Sequence, residues 1–218
     1  MKTVLIIFGS LFPLYIQGQN NNIYLSLGPS LGRSFSTIAG TQVDNSLDPS
    51  RNSRAYVEDR NDLCLGLDVK VEWKYVFVKS GYQLTQRGGE VVGSRFIEED
   101  KIHLKLHAIP LFLGVQPFTW DKMKVVNVNA FGGIVYQWDR GSTDAGLWNG
   151  PRNFPILSLA YGAAVELKVG PYLRLNFQYQ KIRDITDYYT VDIDGHGKYE
   201  AHTKGQMVMG GLLFTLNP

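Results

Sequence analysis

Apolar and polar residues alternate with a period of two along most of this chain, most regularly over residues 63–85. There Leu63, Leu65, Leu67, Val69, Val71 and Trp73 alternate with Cys64, Gly66, Asp68, Lys70, Glu72 and Lys74. Successive side chains of a strand point to opposite faces, so the run predicts a strand with one apolar face and one small or charged face. Val76, Val78, Tyr82 and Leu84 then alternate with Phe77, Lys79, Gly81 and Gln83. The two halves meet at Lys74 and Tyr75, which predicts a tight hairpin. Its arms of about eleven residues exceed the usual five or six. They match the length at which a tilted strand crosses a bilayer.

The same period predicts six further strands. The first spans residues 23–35, where Ile23, Leu25, Leu27 and Leu31 oppose Tyr24, Ser26, Gly28, Ser30 and Gly32. With the hairpin as strands two and three, strand four covers 103–115, with Leu104 and Leu106 opposite Lys105 and His107. Pro110 lies inside it and cannot donate to a ladder, so a bulge or register break is expected there. Strand five covers 125–138, strand six 156–169, strand seven 172–182 and strand eight 206–216. Strand six is the cleanest: Leu157, Leu159, Tyr161, Ala163, Val165, Leu167 and Val169 oppose Ser158, Ala160, Gly162, Ala164, Glu166 and Lys168.

The connections sort by length. Those after strands one, three, five and seven are long and polar; those after two, four and six are short. Outer-membrane barrels have short periplasmic turns and long outer loops. The fold expected is therefore all-β: an eight-stranded, antiparallel, up-and-down transmembrane β-barrel. Within the last long connection, Asp194-Gly195 predicts a hairpin turn beyond the membrane.

Composition narrows the possibilities. A length of 218 residues suits one all-β domain or two small ones. The net charge of +2 gives no nucleic-acid footprint. The mean hydropathy of −0.13 excludes a helical membrane protein but not a barrel with a polar lumen. A single cysteine, Cys64, excludes an internal disulfide and is expected to pack. Residues 1–18 read as a signal peptide: Lys2, an apolar run too short to span, then Gly18 before the cleavage point. That leaves 19–218 as the barrel domain.

Alternation does not say which face is outside, because a soluble lipocalin-like barrel would put its apolar face inward. Three features favour the membrane arrangement. Glycines and serines stud the charged face and relieve crowding in a narrow interior. Aromatics sit near strand ends on the apolar face, at Trp73, Tyr136, Trp138, Tyr161 and Tyr179. The leader directs the chain to the right compartment. The lumen is then expected to hold a charge network of Asp68, Lys70, Glu72, Lys79, Lys105, Glu166, Lys168 and Arg174, with Lys74 and His107 beside them. Charges withdrawn from water need partners, so salt bridges filling the barrel are expected. The excess of cations leaves a narrow anion-preferring pore as an alternative.

The chain resembles the PorT-type outer membrane protein beta-barrel family of Bacteroidetes. The residues that carry the likeness are Gln17-Gly18-Gln19, the first strand 23–32, the run LKLHAIPLFL over 104–113 and the Gly-rich end 209–214. The resemblance implies a location in the bacterial outer membrane and a non-enzymatic barrel; some relatives take part in secretion or gliding. One departure is the end Leu216-Asn217-Pro218, where many such barrels carry a terminal aromatic; Phe214 is the substitute expected.

Two rival functions follow from particular residues. A lipid-modifying enzyme, an acyl hydrolase or transferase, would need a serine beside one of His103, His107, His196 or His202, and no serine motif accompanies them. The acidic run Asp192, Asp194, His196, Glu200 lacks a calcium-loop pattern. No cofactor or metal is expected. A surface-binding module would use the loop aromatics Trp148, Phe154, Tyr188, Tyr189 and Tyr199. The expected partners are outer-membrane lipid, and secretion-machinery or surface partners at the loops, for a monomer.

Overall fold

The structure, a computed structural model, describes residues 23–40, 56–92, 100–118, 125–141, 143–144, 153–187, 189–193 and 197–216. The leader 1–18, Trp148, Tyr188, His196 and the Asp194-Gly195 turn lie outside them. Ten strands follow in order: β1 (Ile23–Gly40), β2 (Tyr56–Trp73), β3 (Val76–Val92), β4 (Asp100–Val115), β5 (Val126–Asp139), β6 (Thr143–Asp144), β7 (Ile156–Lys168), β8 (Leu173–Asp184), β9 (Tyr189–Ile193) and β10 (Gly197–Thr215).

Eight of these close a barrel. Consecutive long strands pair antiparallel in the order β1-β2-β3-β4-β5-β7-β8-β10, and β10 returns to β1 from Ser26↔Thr215 to Gly40↔Ala201. Closure removes the unpaired edges that an open sheet would present. The two short strands are extensions at one end: β6 pairs with β4 at Ile102 and His103, and β9 pairs with the start of β10. The end where β1 begins and β10 finishes, with the short turns, is the lower end, and the opposite end the upper.

Side chains alternate between the two faces on all eight long strands, and β4 alone does so in the parity opposite to that expected. Leu27, Leu31, Leu63, Leu65, Leu67, Trp73, Val78, Tyr136, Leu159, Tyr161 and Phe177 are exposed on the outer wall. Ser26, Asp68, Glu72, Gln83, Asn129, Ser158, Glu166 and Gln178 are buried inside. The apolar outer run from Leu63 to Trp73 rises about 33 Å along the strand, or about 23 Å along the axis at a 45° tilt. A bilayer's hydrocarbon barrier, spanned by an apolar band about 25 Å tall in such barrels, needs that height.

Strand β4 departs from expectation. Leu104, Leu106 and Ala108 are fully buried, and Phe112 nearly so, whereas Ile109, Leu111, Leu113 and Val115 are exposed. Lys105 and His107 therefore lie on the outer parity of the strand and are half-exposed. The expected break at Pro110 does not occur. Pairing with β3 runs to Ser80↔Leu111 and resumes at Gln83↔Ala108 in the same register. The proline carbonyl is instead used by Ser80, whose hydroxyl donates to it at 2.8 Å. Since parity runs unbroken through the proline, the outward positions Ile109–Val115 force Lys105 outward as well.

The interior has two walls of different character. Phe77, Ala108, Phe112, Phe131, Val135, Ala160, Ala164 and Ile182 pack into an apolar cluster under β3, β4, β5, β7 and β8. Phe112 and Phe131 meet with ring centroids 5.0 Å apart. Cys64 packs with Met207 and Met209 on the other side. The inward glycines serve a purpose beyond sparing side-chain space. A Cβ on Gly28 would lie 1.8 Å from the Leu212 carbonyl oxygen, and one on Gly162 2.0 Å from that of Tyr179. Lacking a Cβ, these positions let the neighbouring backbone close in, as a tightly coiled small barrel requires.

Candidate functional site

The barrel interior is where the sequence concentrates its charge. Near the lower end, Arg174 on β8 reaches across to Glu72 on β2, with Nη1 2.8 Å from Oε1 and Nη2 3.0 Å from Oε2. Its Nη1 also donates to Glu166 Oε2 at 2.6 Å, and Nη2 to the Ser26 hydroxyl at 2.5 Å. Lys70 closes the square, 2.6 Å from Glu166 and 2.7 Å from Glu72, and donates to Gln116 at 3.0 Å. Asn129 donates to Glu166 at 2.7 Å. The ammonium of Lys70 also sits over the Phe77 ring, 4.3 Å from its centroid. One step higher, Lys79 pairs with Asp68 at 3.0 Å and donates to Gln178 at 2.5 Å.

A second cluster sits at the upper end. Arg87 Nη2 lies 2.9 Å from Asp184 Oδ1 and donates to Gln137 at 2.7 Å. Ser158 donates to the same carboxylate oxygen at 2.6 Å. The other oxygen accepts from the Thr203 backbone amide at 2.9 Å and hydroxyl at 2.7 Å. The alternation did not reveal this pair. Both residues sit where the outer wall turns polar, so the sequence there reads as connection; the Arg87–Asp184 separation of parity from their exposed neighbours was the signal available.

Of the eight residues expected in the lumen network, Asp68, Lys70, Glu72, Lys79, Glu166 and Arg174 are buried and brought together. Lys168 is half-buried on the inward parity, opposite Arg174 in the ladder. Lys105 is a correction: it is on the outer wall, for the reason given by the parity of β4. Lys74 is exposed in the β2–β3 turn with φ of 52°, and its ammonium lies 5.5 Å from the Trp73 ring centroid. His107 faces outward, bonded to the Tyr82 hydroxyl and stacked on Trp138 at 5.3 Å. With these cations outside, the buried charges among the described residues are Asp68, Glu72, Glu166 and Asp184 against Lys70, Lys79, Arg87 and Arg174. The cation excess expected of the lumen is absent from that set.

Charges locked in the interior and an apolar outer wall belong to one class of protein. An outer surface of leucine, valine and aromatics of bilayer height is stable against lipid, and the chain is an integral membrane barrel that crosses with strands. Its architecture is that of the small outer-membrane barrels. Solved structures bear this out at the level of fold. The outer membrane protein OprG from Pseudomonas aeruginosa matches with a TM-score of 0.57 and 13% identity, covering 90% of this chain and 96% of that one. Outer membrane protein AlkL, determined in lipid bilayers, matches with a TM-score of 0.51 and 13% identity, covering 90% and 91%. No family model matches the chain. No curated protein matches it either.

Proposed function

We propose that this chain is a monomeric, non-enzymatic outer-membrane barrel that works as a rigid anchor, holding its upper connections at the cell surface for structural, surface-binding or secretion-associated contacts. One observation carries the reading: among the described residues the fully buried ionised side chains are four of each sign, all of them ion-paired, and apolar side chains pack beside them. A lumen of eight strands is just wide enough for such filling. Buried ion pairs that bridge β2 to β7 and β8 resist the separation a passing solute would demand. The outer wall and the upper end are then the surfaces left for work. The histidines favour a non-enzymatic barrel. His107 is occupied by Tyr82 and Trp138 as part of a membrane-boundary aromatic group, and His103 contacts Arg60 and Gln86. The PorT-type likeness of 104–113 supports the secretion-associated form of the proposal.

Planar-bilayer recording with the purified, refolded chain tests this. The expected outcome is no discrete channel activity at neutral pH. A stable, size-selective conductance would show a water path through the two clusters and replace the anchor with the pore.

A further inference from the structure

The membrane boundary on the outer wall differs from one side of the barrel to the other. Over β3, β4 and β5 it is aromatic, with Tyr82, His107, Tyr136 and Trp138 in mutual contact. Over β1, β10 and β8 it is cationic. Lys204 on β10 lies directly across from Arg183 on β8, and Lys181 sits across from Gln206 one outward position lower. All three cations are exposed. Among the described residues, no ion pair engages them. Among the residues whose side chains are described, no acidic residue occupies an outward position of β1, β7, β8 or β10 at this level: Asp184 points inward to Arg87, and Asp187 lies beyond, 3.5 Å from His202.

Two features make this more than a solvated fringe. Like charges directly opposite one another on a sheet destabilise it, and the Lys204–Arg183 pair is such a placement. An anion lying between them converts that repulsion into attraction. The cations also rim a groove of about 470 Å³ whose remaining wall includes Phe35, Leu159 and Tyr161. Leu159 shares the rung of Arg183 and Lys204, Tyr161 and Phe35 share that of Lys181 and Gln206, and below them the outward positions Ala163, Tyr179 and Val208 lead into the lipid-facing belt. A ligand fitting the groove has an anionic head at the boundary and an apolar body along the wall beneath it.

We propose that this groove binds the phosphate group of a lipid in the outer leaflet, with Lys181, Arg183 and Lys204 clasping the phosphate and Phe35, Leu159 and Tyr161 receiving the adjoining acyl chains. The inference rests on the membrane reading above, because it needs the boundary to lie at this height. Guanidinium and ammonium donors converging from adjacent strands suit a phosphate oxygen cluster better than a single carboxylate.

The test uses the full chain refolded into phosphatidylcholine nanodiscs. Each preparation receives bis-phosphorylated lipid A or its dephosphorylated form, and retained lipid is counted by native mass spectrometry. The variants are the triple K181Q/R183Q/K204Q and, as a control on the opposite wall, K105Q. The phosphorylated lipid is expected to be retained by the wild type and by K105Q. The triple variant should lose on the order of 100-fold in retention, at about fivefold per basic side chain near an anionic lipid surface. Equal retention by the triple variant, or equal retention of the dephosphorylated lipid, overturns the proposal. Displacement by millimolar inorganic phosphate alone overturns the commitment to a lipid. Heat-dependent gel mobility is read on every sample: its absence in the wild type sinks the membrane reading itself, and its presence in the triple variant shows that lost retention is not lost folding.

Discussion

Arg174 and Arg87 are both fully buried arginines aimed at the barrel axis, one near the lower end and one near the upper, and they are held differently. Arg174 stands between two carboxylates, Glu72 and Glu166, that also share Lys70. Arg87 meets a single carboxylate, Asp184, which already accepts from Ser158 and twice from Thr203. Charge in the lower cluster is satisfied by other charge. In the upper cluster it is satisfied largely by neutral donors. Depth explains the contrast: the lower square lies within the apolar belt, while the upper pair sits where the outer wall is already turning polar.

The largest effect that this comparison predicts is at Arg174. Replacing it with methionine leaves Glu72 and Glu166 sharing Lys70, so one buried carboxylate is stranded. Removing one partner of such a network costs about 3–5 kcal/mol. Urea unfolding in phosphatidylcholine vesicles, followed by heat-dependent gel mobility, measures it. Adding Glu72→Gln to the same chain should restore a substantial part of the loss, since it removes the stranded charge. A double variant no more stable than Arg174→Met would mean that the square is held by shape and not by charge.

Arg87→Met comes next. Asp184 keeps the Ser158 hydroxyl and both Thr203 donors, so the expected loss is about 1–3 kcal/mol, the range for removing one partner of a still-bonded polar group. The same unfolding assay reads it. A loss equal to that of Arg174→Met would erase the distinction between the two ends.

The difference between the ends also explains what could be read in advance. Within lipid, the outer face must be apolar, so Leu65, Leu67 and Val69 mark Asp68 and Lys70 as inward by contrast. Above the boundary the outer face is free to be polar, and that contrast vanishes. Strands β1, β2, β3, β8 and β10 accordingly run past the predicted strands, into residues that read as loops: β2 begins at Tyr56, β8 ends at Asp184 and β10 begins at Gly197. Arg87 and Asp184 fall in those invisible stretches. The β9–β10 pairing was legible, through Thr190↔Glu200 and its neighbours, because Asp-Gly turn chemistry marks a hairpin without any need for a membrane. Across β4 the contrast failed in the opposite way. Leu104 and Leu106 look like lipid-facing residues, yet they pack inside, because this part of the interior needs apolar volume beside the Phe77–Phe112–Phe131 cluster.

That misassignment yields the smallest and most discriminating prediction. If Lys105 belonged to the lumen network, its replacement would open a buried ionic cluster. On the outer wall it is half-exposed, two residues below the β6 pairing at His103 and one outward position above His107 of the boundary group. Lys105→Met should then shift stability by no more than about 1 kcal/mol, the scale of a half-exposed polar contact and well below that of the buried square. The same contrast appears chemically. In the folded, detergent-solubilised chain, a water-soluble amine reagent should modify Lys105 and Lys74 quickly and leave Lys70 and Lys79 untouched until the barrel is unfolded. Protection of Lys105 together with Lys79 would put both on one face. The parity of β4 through Pro110 would then have to break after all, and the balance of buried charge that argues against a pore would tip back toward cations.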